Sequence, residues 1–371
     1  MSLLGNSDNI YSSVKDYYGK VLASSKDLKT SACTAAAAPH PIIRKAIESV
    51  PKTVNDKFYG CGNPIPLGIK GKDVLDLGSG SGRDCYVASA LVGPEGSVTG
   101  IDMTDEQLET ARESIGEFEQ TLGYTPKLKF VTGYIEELQK AGIEPSTIDI
   151  CISNCVINLS PNKKLVLTGV YQALRTGGEL YFSDVYADAQ LPDSVRKHDV
   201  LLGECIGGAL YIKEFEEMAQ EIGFAHPRVL SISPIAVNDK ELQALVGNTK
   251  FYSITYRLFK TDEHDATKQS DIEATYLGTI EGHEDRYELD IENVFEKGVP
   301  ETVSRSTAAI LSSSWLSGFF SVDETSNTDS GLTALPSSAE TLINQLRRLE
   351  QQNSSASGGC CSTGGKQGGC C

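Results

Sequence analysis

The sequence predicts an α/β fold built on a mostly parallel, doubly wound sheet. Three observations carry this. Short apolar, β-branched runs alternate with amphipathic helical runs from Lys72 to Lys260. A glycine-rich loop follows the first of these strands, "VLDLGSGSGRD". The next strand, "SVTGIDM", closes on an acidic residue, Asp102.

The elements follow in order. "YSSVKDYYGKVL" is amphipathic and predicts a helix; "HPIIRKAIESVP" predicts a second, stopped by Pro51; "FYGCGNPIP" is a Gly/Pro loop. "KDVLDLG" is the first strand and "RDCYVASALVG" a helix ending at Gly93. After "SVTGIDM", a helix capped by Thr104 runs to Gly123. "LKFVTGY" and "TIDICISN" are the third and fourth strands, "NKKLVLTGVYQALRTGG" a helix with a glycine stop, and "GELYFSDVYA" the fifth strand. "FEEMAQEIGF" adds a helix, and "RVLSISPIAV" and "FYSITYRLFK" are placed to pair as an antiparallel edge. "DIEATYLGTIEGHEDRYELDIENVFEKG" reads as a small β-rich unit and "VSRSTAAILSSSWLSGFF" as a helix.

The length, 371 residues, exceeds the usual size of one domain. The expected division is an N-terminal segment at 1–70, a main domain at 71–260, a C-terminal unit at 261–322 and a flexible Ser/Gly/Cys tail at 323–371, with a short helix at "SSAETLINQLRRLEQQ". The formal net charge of -17 disfavours nucleic acid and anionic lipid as partners. No apolar run approaches 18 residues, so no membrane span is expected. The N-terminus lacks a basic stretch followed by an apolar core, which makes the cytoplasm the expected location; a monomer is the expected state.

The glycine loop is the strongest chemical signal. Glycines let the backbone turn sharply and approach a ligand closely, and the helix beyond offers free N–H groups. A GxGxxG spacing would suggest a dinucleotide; here it is GxGxG after Asp-Leu. This resembles the S-adenosylmethionine loop of class I methyltransferases, whose fold is a mostly parallel seven-stranded sheet. The resemblance gives Gly78, Ser79, Gly80 and Gly82 to the cofactor's amino-acid end, Asp102 to the ribose, Met103, Ile135 and Glu136 to the adenine, and Asn154 to the methyl-donor end. An NAD site is the alternative reading of the loop.

Ten cysteines then need an account. In a reducing compartment they read as metal-binding, redox-active or buried rather than as structural staples. Cys85, on a helix, and Cys151, inside the fourth strand, read as packing. Cys155 falls where the fourth strand runs out, Cys205 follows Glu204 and precedes Gly207-Gly208, and Cys61 and Cys33 lie in the N-terminal segment. Thiolates select soft, thiophilic centres. Trivalent arsenic bound by three thiolates keeps a lone pair that can attack a methyl donor without a general base.

The chain resembles the S-adenosylmethionine-dependent arsenite methyltransferases over roughly residues 10–320, in "VKDYYG", "CTAAAAPHP", "FYGCGNPIP", "ISNCVINLSPNK", "YFSDVYAD" and "GECIGGALY". The resemblance implies that Cys155, Cys205 and Cys61 hold As(III), that Cys33 and Cys61 form a redox pair, and that Tyr59 lies over the cofactor. It also implies that arsenite arrives as a thiol conjugate and that glutathione or thioredoxin is the reductant. A small-organic-acceptor methyltransferase, a non-catalytic As(III)-binding protein and a zinc module are the competing readings. The tail pairs Cys360-Cys361 and Cys370-Cys371 read either as an arsenite-capturing segment or as an accessory one.

Overall fold

The computed structural model describes residues 11, 38–58, 62–262, 272–324 and 336–357. Its main sheet contains β1 (Asp73–Leu77), β2 (Ser97–Asp102), β3 (Leu128–Thr132), β4 (Ile148–Asn154), β5 (Leu174–Ala187), β6 (Leu210–Tyr211), β7 (Arg228–Ile235) and β8 (Phe251–Phe259). The order is β3-β2-β1-β4-β5-β8-β7, with the two-residue β6 beside β5. β1 to β5 are mutually parallel; β8 runs antiparallel to β5 and to β7. This is the class I S-adenosylmethionine-dependent methyltransferase fold. The order reverses between β1 and β4, and at such a switch point the carboxyl ends of the strands open a ligand crevice. The glycine loop leaves β1 there and Asn154 ends β4.

The apolar runs explain the burial. Val74 to Leu77 and Ile150 to Ser153 are buried because helices cover both faces of the central strands. Cys85 and Cys151 are free and buried among these side chains.

Three elements depart from expectation. The stretch from Thr104 to Gly123 is two helices, Asp105–Glu113 and Ile115–Leu122. Ser114 breaks it, its hydroxyl donating to the Thr110 carbonyl at 2.8 Å, a back-bond that bends helices. The helix after β4 ends at Ala173, not at the glycines. β5 already begins at Leu174 and passes through Gly177, whose φ of 82° and closeness to the Ser313 carbonyl leave no room for a side chain.

The third departure concerns the C-terminus. β9 (Ile272–Tyr276), β12 (Pro300–Val303) and β13 (Phe320–Glu324) form an antiparallel sheet in the order β12-β9-β13, so the expected boundary at 322/323 cuts a strand. β10 (Arg286–Glu288) and β11 (Val294–Glu296) pair beside it. Within the tail that was expected to be flexible, Ala339–Ser357 is a 19-residue helix. It packs because Ala339, Leu342 and Ile343 are buried, and because Arg347 donates to Asp188 and Tyr252.

A buried polar seam joins the smaller sheet to the larger. Arg257 on β8 meets Glu179 on β5 at 2.6 Å, and Trp315 Nε1 donates to the same carboxylate at 2.7 Å. Arg228 reaches Asp290, Thr307 and Ser306.

Candidate active site

The first cavity, of about 140 Å³, lies over the ends of β1, β2 and β4. Gly78, Ser79, Gly80, Asp102 and Met103 line it, as do Ile135, Glu136, Asn154 and Cys155. Gly78 has φ 65°, and a Cβ there would collide with Val156, so only glycine fits this turn. Asp102 holds the loop in place: its carboxylate accepts from the Gly80 and Thr104 amides, each at 2.8 Å. Burial raises the Asp102 pKa, and these amides oppose the rise.

Gly82 does not line the cavity. It is the N-cap of the helix Arg83–Val92, at φ 91°, and its missing Cβ makes room for Phe130 and Ala111.

The rim uses residues the sequence did not single out. Arg83 sits 4.0 Å over the Phe58 ring and pairs with Asp84 at 2.8 Å. Tyr11 packs against Tyr134 with 4.7 Å between ring centres and hydrogen-bonds Glu136. Gln107 Oε1 is buried in the lining without a hydrogen-bond partner. A buried acceptor left unpaired is costly, so this atom fits a bound polar donor such as an adenine amino group. With the glycine cradle and Asp102, the lining suits S-adenosylmethionine.

Cys155, just past β4, lines this cavity, and Cys205, just past the helix Asp199–Gly203, lies close to it. Cys155 and Cys205 are buried, with φ of 58° and 62°. Among the described residues only Ser146 shares that left-handed backbone without being glycine. Such strain persists where the surrounding structure enforces it, and it clusters at functional sites. Their sulfurs and an Asp184 oxygen lie within 4.8 Å of one another. The Cys205 thiol donates to the Cys155 carbonyl at 3.0 Å. Gly208 permits this closeness, since a Cβ there would stand 1.9 Å from the Asn158 carbonyl oxygen. Cys155 is disulfide-bonded, while Cys85 and Cys151 are free. Cys33, Tyr59, Cys61 and the tail pairs lie outside the described residues.

Asp184 was not anticipated. Burial pushes its carboxyl up to about 7, against hydrogen bonds from Val185 and Asn158 and the charge of Lys163. Burial in turn pulls Lys163 down to about 8. The available signal was a lone carboxylate in the apolar run "YFSDVYA".

The chain matches two family models, "Methyltransferase domain" over residues 69–223 and "Arsenite methyltransferase C-terminal domain" over 269–371. It is 45% identical to the arsenite methyltransferase of Mus musculus, over 85% of this chain and 84% of that one. The arsenite methyltransferase of Homo sapiens is 46% identical over 82% of this chain and 81% of that one. The chain belongs to the arsenite methyltransferase family. The crystal structure of an arsenic(III) S-adenosylmethionine methyltransferase from Chlamydomonas reinhardtii superposes with a TM-score of 0.76 at 48% identity, covering 80% of this chain and all of that one.

In this member of the arsenite methyltransferase family the glycine loop and Asp102 line the first cavity, and Cys155, which also lines it, keeps its sulfur near that of Cys205 and an Asp184 oxygen. Among the described residues no helix is long and apolar enough to cross a membrane.

Proposed function

We propose that this arsenite methyltransferase holds As(III) on the thiolates of Cys155, Cys205 and Cys61 and methylates it there. One observation carries the reading: Cys155 lines the cofactor cavity while its sulfur lies within 4.8 Å of the Cys205 sulfur. S-adenosylmethionine, when bound, supplies an electrophilic methyl group on a sulfonium. Three thiolates leave trivalent arsenic its lone pair, so no residue has to remove a proton from the acceptor. The protein's task is positioning, which is worth several orders of magnitude in rate. Asn154, at the mouth between the two halves, ties the loop at Gly62 to the Asp84 carboxylate.

Methyl transfer formally removes two electrons from arsenic. Closing a disulfide between two cysteines returns them, and an external thiol reopens the disulfide. Cys33 with Cys61 is the proposed pair, with glutathione or thioredoxin as reductant and a thiol conjugate as the delivered form of arsenite. Thiolate chemistry of this kind fits a detoxifying monomer in the reducing cytoplasm.

X-ray absorption at the arsenic edge tests the ligand set. The reduced protein with equimolar arsenite should show three sulfur neighbours, and Cys205→Ser two. Oxygen neighbours alone in the wild type would refute the assignment.

A further inference from the structure

Asp184 stands on β5 directly after Ser183, which closes the β4–β5 ladder opposite Asn154. It is buried, and one of its oxygens lies within 4.8 Å of the Cys155 and Cys205 sulfurs. We propose that Asp184 is a positioning residue for arsenic binding: through Asn158 it fixes the separation of the Cys155 and Cys205 thiols. The proposal rests on the reading of those two cysteines as arsenic ligands, and it names the group that holds them in place.

The bonds of the carboxylate argue against a more direct part. One oxygen accepts from the Val185 amide and from Asn158 Nδ2, each at 2.8 Å, and the other accepts from the Asn158 amide at 3.0 Å. An oxygen is a hard ligand, and these two are already engaged by three N–H groups. A thiophilic centre beside them selects the sulfurs.

Asn158 is where the two cysteine-bearing segments meet. Its side chain also donates to the Val185 carbonyl, so two successive residues of β5 grip it. On the Cys155 side, Asn158 lies in the short 3-10 turn Ile157–Leu159. The Cys155 amide donates to the Ser183 carbonyl at 2.9 Å. The stretch from Cys155 to Asn158 is therefore held at its two ends by neighbouring residues of one strand, Ser183 and Asp184. A loop that tight fits the left-handed φ of 58° at Cys155, a strained conformation that persists only where its surroundings enforce it.

On the Cys205 side, the turn after the helix Asp199–Gly203 rests against the same residue. Gly208 packs on the Asn158 carbonyl so closely that no side chain fits between them. The Cys205 thiol donates to the Cys155 carbonyl, which closes the ring of contacts. Displacing Asn158 thus shifts both cysteine segments, and Asp184 supplies two of its anchors.

The test uses the full-length reduced protein. Asp184→Asn keeps the size of the side chain but turns an N–H toward an N–H of Asn158. The arsenite KM should rise about tenfold or more, with the S-adenosylmethionine Kd within about twofold of the wild type. X-ray absorption with equimolar arsenite should show fewer sulfur neighbours than in the wild type. Asn158→Ala removes the side-chain bonds and keeps the backbone one. It should move the same quantities in the same direction, and it carries the test if Asp184→Asn does not fold. Arg257→Ala, in the seam between the sheets, controls for general loosening: it should lose stability and keep the arsenite KM within about twofold. A wild-type KM and sulfur count in both variants at the site, or an equal rise in KM in Arg257→Ala, would overturn the proposal. Failure of the underlying reading shows separately, as oxygen neighbours alone around arsenic in the wild type.

Discussion

Asn154 and Gly62 exchange two hydrogen bonds, amide to Oδ1 at 2.9 Å and Nδ2 to carbonyl at 3.0 Å. The same Nδ2 donates to Asp84 at 2.8 Å. One side chain at the end of β4 thus fastens the loop that follows Cys61 to the helix that follows the glycine loop. Asn154→Ala should leave the fold intact and lower kcat/KM for arsenite by about 10- to 100-fold, the loss of two or three partly buried hydrogen bonds. Steady-state kinetics at saturating S-adenosylmethionine would measure it. An unchanged kcat/KM would show that the tether does not position the acceptor.

The seam between the sheets should behave as one unit. Arg257 is 1% exposed and Glu179 0%, and Trp315 shares the carboxylate. Arg257→Ala leaves that carboxylate buried without its counter-charge, and should cost about 3–5 kcal/mol in denaturant titrations. Replacing both residues together should cost less than the sum of the two single changes.

His283 should make this region sensitive to acid. Burial lowers its pKa, and the neighbouring His40 and Arg257 lower it further against Glu288 and Glu284. The unfolded chain therefore binds the proton more readily than the folded one. Stability from this group is fully present above the unfolded value, about 6.5, and is lost as pH falls through the folded one. His283→Gln should narrow the difference in stability between neutral and mildly acidic pH, read by urea titration. An equal difference in the two proteins would remove His283 from the account.

How much of this was legible before folding depends on range. Strands such as "KDVLDLG" and "TIDICISN" carry their own period and their own ends, so the glycine loop after the first strand and Asp102 at the end of the next could be read directly. Asp184 could not: whether a carboxylate in "YFSDVYA" meets a cysteine depends on the register of β5 against β4 and on the turn at 205–208. Gly82 is ambiguous in the sequence because a φ of 91° at a helix cap needs glycine as firmly as a ligand does. The helix Ala339–Ser357 was half legible. Its period shows in the sequence, but the partners that fix it, Glu216, Asp188 and Tyr252, are over a hundred residues away or nearly so.

That helix changes where the tail must be cut. On the arsenite-capturing reading of the tail, Cys360-Cys361 and Cys370-Cys371 raise the local concentration of arsenite at the site. Truncation after Ser357 keeps the packed helix and should raise the arsenite KM about threefold or more with kcat unchanged, the behaviour of a lost second binding element. The same KM at low arsenite would make the tail accessory.

The most direct test of the whole account is product analysis. Reduced protein is incubated with S-adenosylmethionine, arsenite and glutathione, and the arsenic species are separated by chromatography with arsenic-specific detection. Wild type should yield methylated arsenic. Cys155→Ser should yield none while still binding S-adenosylmethionine. Methylated arsenic at the wild-type rate from Cys155→Ser would contradict the placing of the acceptor on the thiols at the end of β4.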